Sequence, residues 1–220
     1  VQFTRLGKEI VMAVKAGGAN PDANSRLRTA MQNAKAVNMP KDRVEAAIKR
    51  ASNKDESNYE ELVYEGYAAH GVAILVETAT DNTNRTVANV RSYFNKCDGT
   101  LGKTGSLDFI FTRQSVFRFE PGEVDLEELE FDLIDAGLEE IYVEEGEEEK
   151  DVAVIHTAFE DFGKMQKALE QKGIEVISAK LERVAQSTTE VNEEQAADVL
   201  KLIDKLEDDD DVQAVYHNMG

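Results

Sequence analysis

Val72-Ala73-Ile74-Leu75-Val76 constrains the fold more than any other stretch of the sequence. A continuous apolar run this short cannot span a membrane, and it reads as a central strand buried on both faces. Its neighbours define the unit around it. Residues 62–67 alternate as a preceding strand. Asp81-Asn82-Thr83-Asn84 then offers capping-type side chains, and Val87, Val90 and Phe94 recur at helical spacing. The spacing predicts a helix over 83–95, ended by Asp98-Gly99. Leu107, Phe109 and Phe111 alternate into a further strand. Strand, strand, helix, strand leaves one sheet face open, so a closing helix and strand must come from elsewhere.

The end of the chain supplies both. Asn192-Glu193-Glu194-Gln195 has the form of a capping box, opening a helix with Ala196, Val199, Leu200, Ile203 and Leu206 on one face. Val212 to Tyr216 alternates as a strand. The middle domain is therefore discontinuous, 59–113 plus 185–220, with four strands and two helices. Between its halves, 114–184 carries its own pattern. Strands at Val116–Phe119, 141–143, 152–155 and 174–184 enclose helices marked by Leu126, Leu129, Leu133 and by Phe162, Met165, Leu169. That is βαββαβ, the ferredoxin-like order, and it closes on itself as an inserted domain.

Residues 1–55 read as a three-helix bundle. Phe3, Leu6, Ile10, Ala13 and Val14 form one stripe, stopped at Gly17-Gly18. Leu27, Ala30, Met31 and Ala34 mark a second helix, and Val44, Ala47, Ile48 and Ala51 a third that begins near Pro40. Polar residues 52–58 read as a linker. The fold class is α+β: helical head, discontinuous α/β domain, ferredoxin-like insert.

Charge separates the head from the body. The chain carries a net charge of −19, yet residues 1–55 hold 11 Lys+Arg against 5 Asp+Glu, a net of +6, leaving −25 for the rest. A basic head on an acidic body points to a polyanion at one end. Arg28 and Lys35, seven apart, share a flank of the second helix, and Arg43 and Arg50 share one on the third. Arg26 and Lys41 lie toward the connecting corner, Lys49 is also on the third helix, and Lys103 projects from the Gly99-to-Gly105 loop. These eight are the candidate nucleic-acid contacts.

Other chemistries fare worse. Gly102-Lys103-Thr104 resembles the end of a phosphate-binding loop, but the motif needs a glycine where Cys97 stands, and a preceding strand and following helix. One cysteine and three scattered histidines (His70, His156, His217) give neither a disulfide framework nor a zinc set. Nothing in the sequence pairs His70 with a carboxylate or nucleophile. Asp208 to Asp211 and Glu144 to Glu149 read as solvated acidic turns, and Cys97 as a half-buried structural residue. No catalytic residue, metal or cofactor is expected. No signal peptide or spanning segment is recognisable, so a cytoplasmic monomer or weak dimer is expected, with a sequence that starts downstream of its natural terminus.

Phe3-Thr4-Arg5-Leu6-Gly7-Lys8-Glu9-Ile10, Asn24-Ser25-Arg26-Leu27-Arg28, Asn38-Met39-Pro40-Lys41-Asp42, Tyr64-Glu65-Gly66-Tyr67, Thr80-Asp81-Asn82-Thr83-Asn84-Arg85-Thr86 and Leu101-Gly102-Lys103-Thr104-Gly105-Ser106 together resemble the YebC/PmpR family over nearly the whole chain. Its members are described as probable transcriptional regulators, and relatives include a mitochondrial translational activator of cytochrome oxidase. Two departures stand out: Ala68-Ala69-His70-Gly71 replaces a Gly-Pro-Gly-Gly-like turn, and the family's basic N-terminal segment is missing. The resemblance implies a three-domain, non-catalytic protein whose partner is DNA, in regulation of transcription. The alternative partner is ribosomal RNA or tRNA on the ribosome, with relief of stalled elongation as the outcome.

Overall fold

The computed structural model describes residues 2–53 and 58–220. α1 (Gln2–Gly17), α2 (Ser25–Ala36) and α3 (Lys41–Ala51) form the head. Gly7 to Val14 of α1 are nearly all buried, so this helix must be covered on more than one side. Ile10, Ala13 and Val14 meet Leu27, Ala30 and Ala34 of α2 and Ala47 and Ala51 of α3. Asn24 joins the first two helices. Its side-chain oxygen caps α2 by accepting from the Leu27 N–H, while its amide donates to the carbonyls of Ala13 and Gly18. The linker expected over 52–58 falls largely on 54–57, outside the described residues.

β1 (Glu60–Tyr67), β2 (Ala73–Thr80), α4 (Thr83–Lys96) and a two-residue β3 (Thr100–Leu101) follow. Then come β4 (Phe111–Phe119), α5 (Leu126–Asp132), β5 (Leu138–Glu145), β6 (Asp151–Ala158), α6 (Phe162–Gln171) and β7 (Val176–Ala185). α7 (Glu193–Glu207) and β8 (Val212–His217) end the chain. Two antiparallel four-stranded sheets result, ordered β3-β1-β2-β8 and β5-β6-β4-β7. The second is the ferredoxin-like order. Phe117, Phe119 and Ile155 of its sheet pack on Leu129, Leu133, Met165 and Leu169.

The first sheet is built from two separate segments, one before and one after the ferredoxin-like sheet in sequence. On one face Ile74 and Val76 pack on Val90 and Phe94 of α4 and Val199, Leu202 and Leu206 of α7. On the other, Ala73 and Leu75 meet Leu107, Ile110 and Phe111. β2 is thus buried on both sides, as its apolar run demands. The capping box at Asn192 is present, with Gln195 returning the bond.

One expected strand does not form. Residues 104–110 are turns, and of the run expected over Leu107, Phe109 and Phe111 only Phe111 is extended, as the first residue of the strand Phe111–Phe119. The fourth place in the first sheet is taken by β3, paired to β1. The cause is the Glu65 carboxylate, which accepts the N–H groups of Gly105 and Leu107 and so winds the chain out of extended geometry. Leu107 and Ile110 then turn inward while Phe109 is left outside.

α2 also meets the insert. The Asn33 side chain donates to the Ala179 carbonyl and accepts its N–H, both at 3.0 Å, satisfying the free edge of β7. Gln166 of α6 donates to Thr29.

Candidate nucleic-acid interface

Much of the polar chemistry that the sequence motifs carry is turned inward. Asp211, 4 % exposed at the start of β8, accepts two bonds from Arg85, Nε to Oδ2 at 3.1 Å and Nη2 to Oδ1 at 2.7 Å. The Thr86 hydroxyl adds a third at 2.9 Å. Lys8 of α1, 7 % exposed, lies 3.8 Å from the same carboxylate and donates to the carbonyls of Ala79 and Asp210. Burial pulls the Lys8 ammonium below its ordinary pKa, against the charges of Asp211 and Asp210. Burial would raise Asp211, but hydrogen bonds from Arg85 and Thr86, with the charges of Arg85 and Lys8, hold it below the usual carboxylate range.

The Asp208-to-Asp211 run is therefore a turn solvated only in part: Asp208 and Asp210 are exposed, whereas Asp211 is buried. Asp211 is a buried tie between α1, α4 and β8, and Asp209 accepts the Tyr93 hydroxyl at 2.7 Å. Burial and that bond push the Tyr93 phenol up to about 12. His70 also differs from expectation, since its Nε2 lies 2.8 Å from Asp198 Oδ2 of α7. The carboxylate was hidden from local reading by its distance along the chain.

The eight candidate cations divide by what already holds them. Arg26 sits 3.3 Å from Glu61 and 3.9 Å from Glu9, a strap between head and sheet. Arg28 is half-buried and donates to the Pro21 carbonyl. The flank that Arg28 and Lys35 were expected to share is thus divided, with Lys35 exposed and Arg28 half-buried. Arg43 lies over the Phe3 ring at 5.5 Å, and Lys41 is 3.9 Å from Glu45. Lys49 and Arg50 project from α3 on either side of a turn whose outer position is the exposed Ala46. Lys103 is exposed on the turn-rich loop. α3 thus presents Lys41, Arg43, Lys49 and Arg50 to solvent and α2 adds Lys35, while Thr29 and Asn33 of α2 are bonded to the insert.

Sequence reasoning missed a further basic surface. Between Asp81 and Asp98 the chain has no acidic residue, although it has 44 in 220. α4 occupies this interval, and its outer face borders a shallow depression of about 510 Å³ lined by Ala88, Arg91, Ser92, Asn95 and Lys96. The acid-free interval was the available signal. Among the described residues, no group of three or more potential metal ligands is gathered, and no helix is long and apolar enough to cross a membrane.

Two family models cover the chain. Residues 1–54 match the TACO1/YebC protein N-terminal domain, and residues 59–219 match the TACO1/YebC second and third domain. The chain belongs to the TACO1/YebC family. Its relatives include a protein of Cytophaga hutchinsonii, 62% identical over 218 residues, covering 99% of this chain and 90% of the relative. One from Flavobacterium johnsoniae is 59% identical over 217 residues with the same coverages. Both bear the name probable transcriptional regulatory protein. A crystal structure of a conserved hypothetical protein from Aquifex aeolicus superposes with a TM-score of 0.82 at 39% identity, covering 99% of this chain and 88% of that one. The α+β arrangement of a helical head and two antiparallel sheets is thus that of a solved relative.

Proposed function

We propose that this TACO1/YebC chain is a non-enzymatic regulator of transcription that contacts DNA phosphates through α3. The observation that carries the proposal is the exposed face of α3, where Arg43, Lys49 and Arg50 surround the small Ala46 on the one basic domain of an acidic chain. Lys35 and Lys103 extend the set. Such side chains position a protein on a duplex through phosphate contacts. The names of the relatives, which describe regulation rather than a reaction, support the same reading. On this reading it works in the cytoplasm as a monomer or weak dimer, and the acidic insert faces away from the polyanion.

A salt titration of affinity tests this, on duplex DNA and on ribosomal RNA or tRNA in parallel. Each phosphate contact contributes roughly −0.9 to the log–log slope on duplex DNA. Lys35→Ala, Arg43→Ala, Lys49→Ala and Arg50→Ala, combined, should weaken binding and flatten that slope with helicity unchanged. Lys164→Ala, Lys167→Ala and Lys172→Ala on the insert should do far less. A head variant that keeps the full slope would refute the assignment. Selective binding of RNA over DNA would move the target to the ribosome.

A further inference from the structure

We propose that the turn-rich loop at 102–110 is a binding site for an unpaired nucleobase, with Phe109 as the stacking surface and Lys103 as the contact to an adjoining phosphate. The inference rests on the nucleic-acid-binding part of the function proposed above, and adds a ligand class and a residue to it. Phe109 is 74 % exposed, while Leu107 and Ile110 on either side are buried beneath the first sheet. Its exposure is therefore fixed by its neighbours rather than by a loose tail.

The loop is held along its length. Glu65, 2 % exposed, accepts the N–H groups of Gly105 and Leu107 with its carboxylate, and its backbone carbonyl accepts the Gly102 N–H at 2.8 Å. Within the loop, Ser106 N–H donates to the Lys103 carbonyl, Asp108 to Gly105 and Ile110 to Leu107. A buried carboxylate spent on loop backbone is a costly way to build a connection, because desolvating the charge must be offset by those bonds. What the arrangement achieves is a rigid display of Lys103, Thr104, Ser106 and Phe109, with Asp108 the acidic residue among them.

Surrounding charge selects the occupant. The other large, highly exposed apolar side chains, Phe131 and Ile134, lie on and just after α5, interleaved with Glu127, Glu130, Asp132 and Asp135, a setting that repels a polyanion. Phe109 instead shares its loop with Lys103 and the hydroxyls of Thr104 and Ser106, and with a single carboxylate, Asp108. An aromatic face and a cation on one loop suit a base and its phosphate, and stacking is tolerant of base identity because every base has a π-face. A base can reach such a face only where it is unpaired, in an RNA loop or bulge or in opened DNA.

The complete chain is titrated with a short duplex carrying one unpaired fluorescent adenine analogue, and with the same duplex fully paired, each as DNA and as RNA. Stacking should quench the unpaired probe. Phe109→Ala should abolish the quench and weaken that probe about tenfold while leaving the paired duplex unchanged. Phe109→Trp should restore both, and Lys103→Ala should weaken the probe and lower its salt slope by about one contact. Because Phe109 lies outside every core, thermal midpoints should match the wild type. The site assignment is overturned if the wild type does not quench the unpaired probe, if Phe109→Ala binds it normally, or if that variant loses paired and unpaired probes alike. Quenching confined to the RNA or the DNA form supports the site and identifies its source. A wild type that quenches the unpaired probe but does not bind the paired DNA duplex removes the duplex-DNA reading and leaves the stacking site standing.

Discussion

Asp211→Asn should cost this fold far more than an ordinary substitution in an acidic turn. The change keeps the shape of the side chain but removes the charge that Arg85, Thr86 and Lys8 share. Arg85 is half exposed and can be rehydrated, whereas Lys8 cannot. Removing one partner of a buried pair typically costs about 3–5 kcal/mol, and rehydration of Arg85 places this case near the lower end, at about 3 kcal/mol. Lys8→Met should cost less, because it removes a desolvated charge and retains the volume. Combined with Asp211→Asn, it should cost less than the two changes added, by at least about 1 kcal/mol, since no buried ammonium is then left unpaired. Urea unfolding by circular dichroism gives the energies, and hydrogen exchange at β2 and β8 assigns the loss to this sheet. The carboxyl's folded pKa lies below its unfolded value near 3.9, so its contribution is present above about pH 4 and disappears as pH falls through the folded pKa. The wild type and Asp211→Asn should therefore converge in strongly acidic solution. A cost below about 1 kcal/mol at neutral pH, or strict additivity with Lys8→Met, would refute the reasoning.

Two further outcomes are expected. Deleting residues 117–181 and joining the ends by a short linker should leave a cooperatively unfolding protein, since the first sheet takes no strand from that segment; a product without a transition would sink the inserted-domain reading. Gly66→Ala should lower the urea midpoint by about 1–3 kcal/mol of stability, because a Cβ there would meet the Thr100 carbonyl at 2.5 Å and the Phe94 ring at 2.9 Å; an unchanged midpoint would show that β3 yields freely.

What was legible in the sequence was whatever local pattern decides. Asn192 opens its helix with the capping box read there, and Asn82, one of the four capping-type residues at 81–84, caps the other, because a cap is a contact over three residues. The βαββαβ order followed from periodicity and turn residues alone. What could not be read depended on partners far along the chain. Leu107, Phe109 and Phe111 alternate like a strand, and only Glu65, some forty residues earlier, makes them turns. Asp211 looked like one of four solvated carboxylates until Arg85 and Lys8 came to it from other elements. The basic head was visible as charge, but which cations stay free depended on Pro21, Glu61 and the insert.

β8 completes the first sheet against β2, and at residues 212–217 it follows every strand of the ferredoxin-like sheet in sequence. During synthesis the N-terminal part emerges first. The ferredoxin-like sheet has all its strands once Ala185 is out, while β2 still lacks the neighbour on its outer side. Ile74, Leu75 and Val76 then lie in an open-edged strand that also waits for α7 to cover one face. Such an edge invites pairing with another chain. A chain cut short before Val212 would therefore carry every strand of the ferredoxin-like sheet beside a first sheet left with an open, apolar edge.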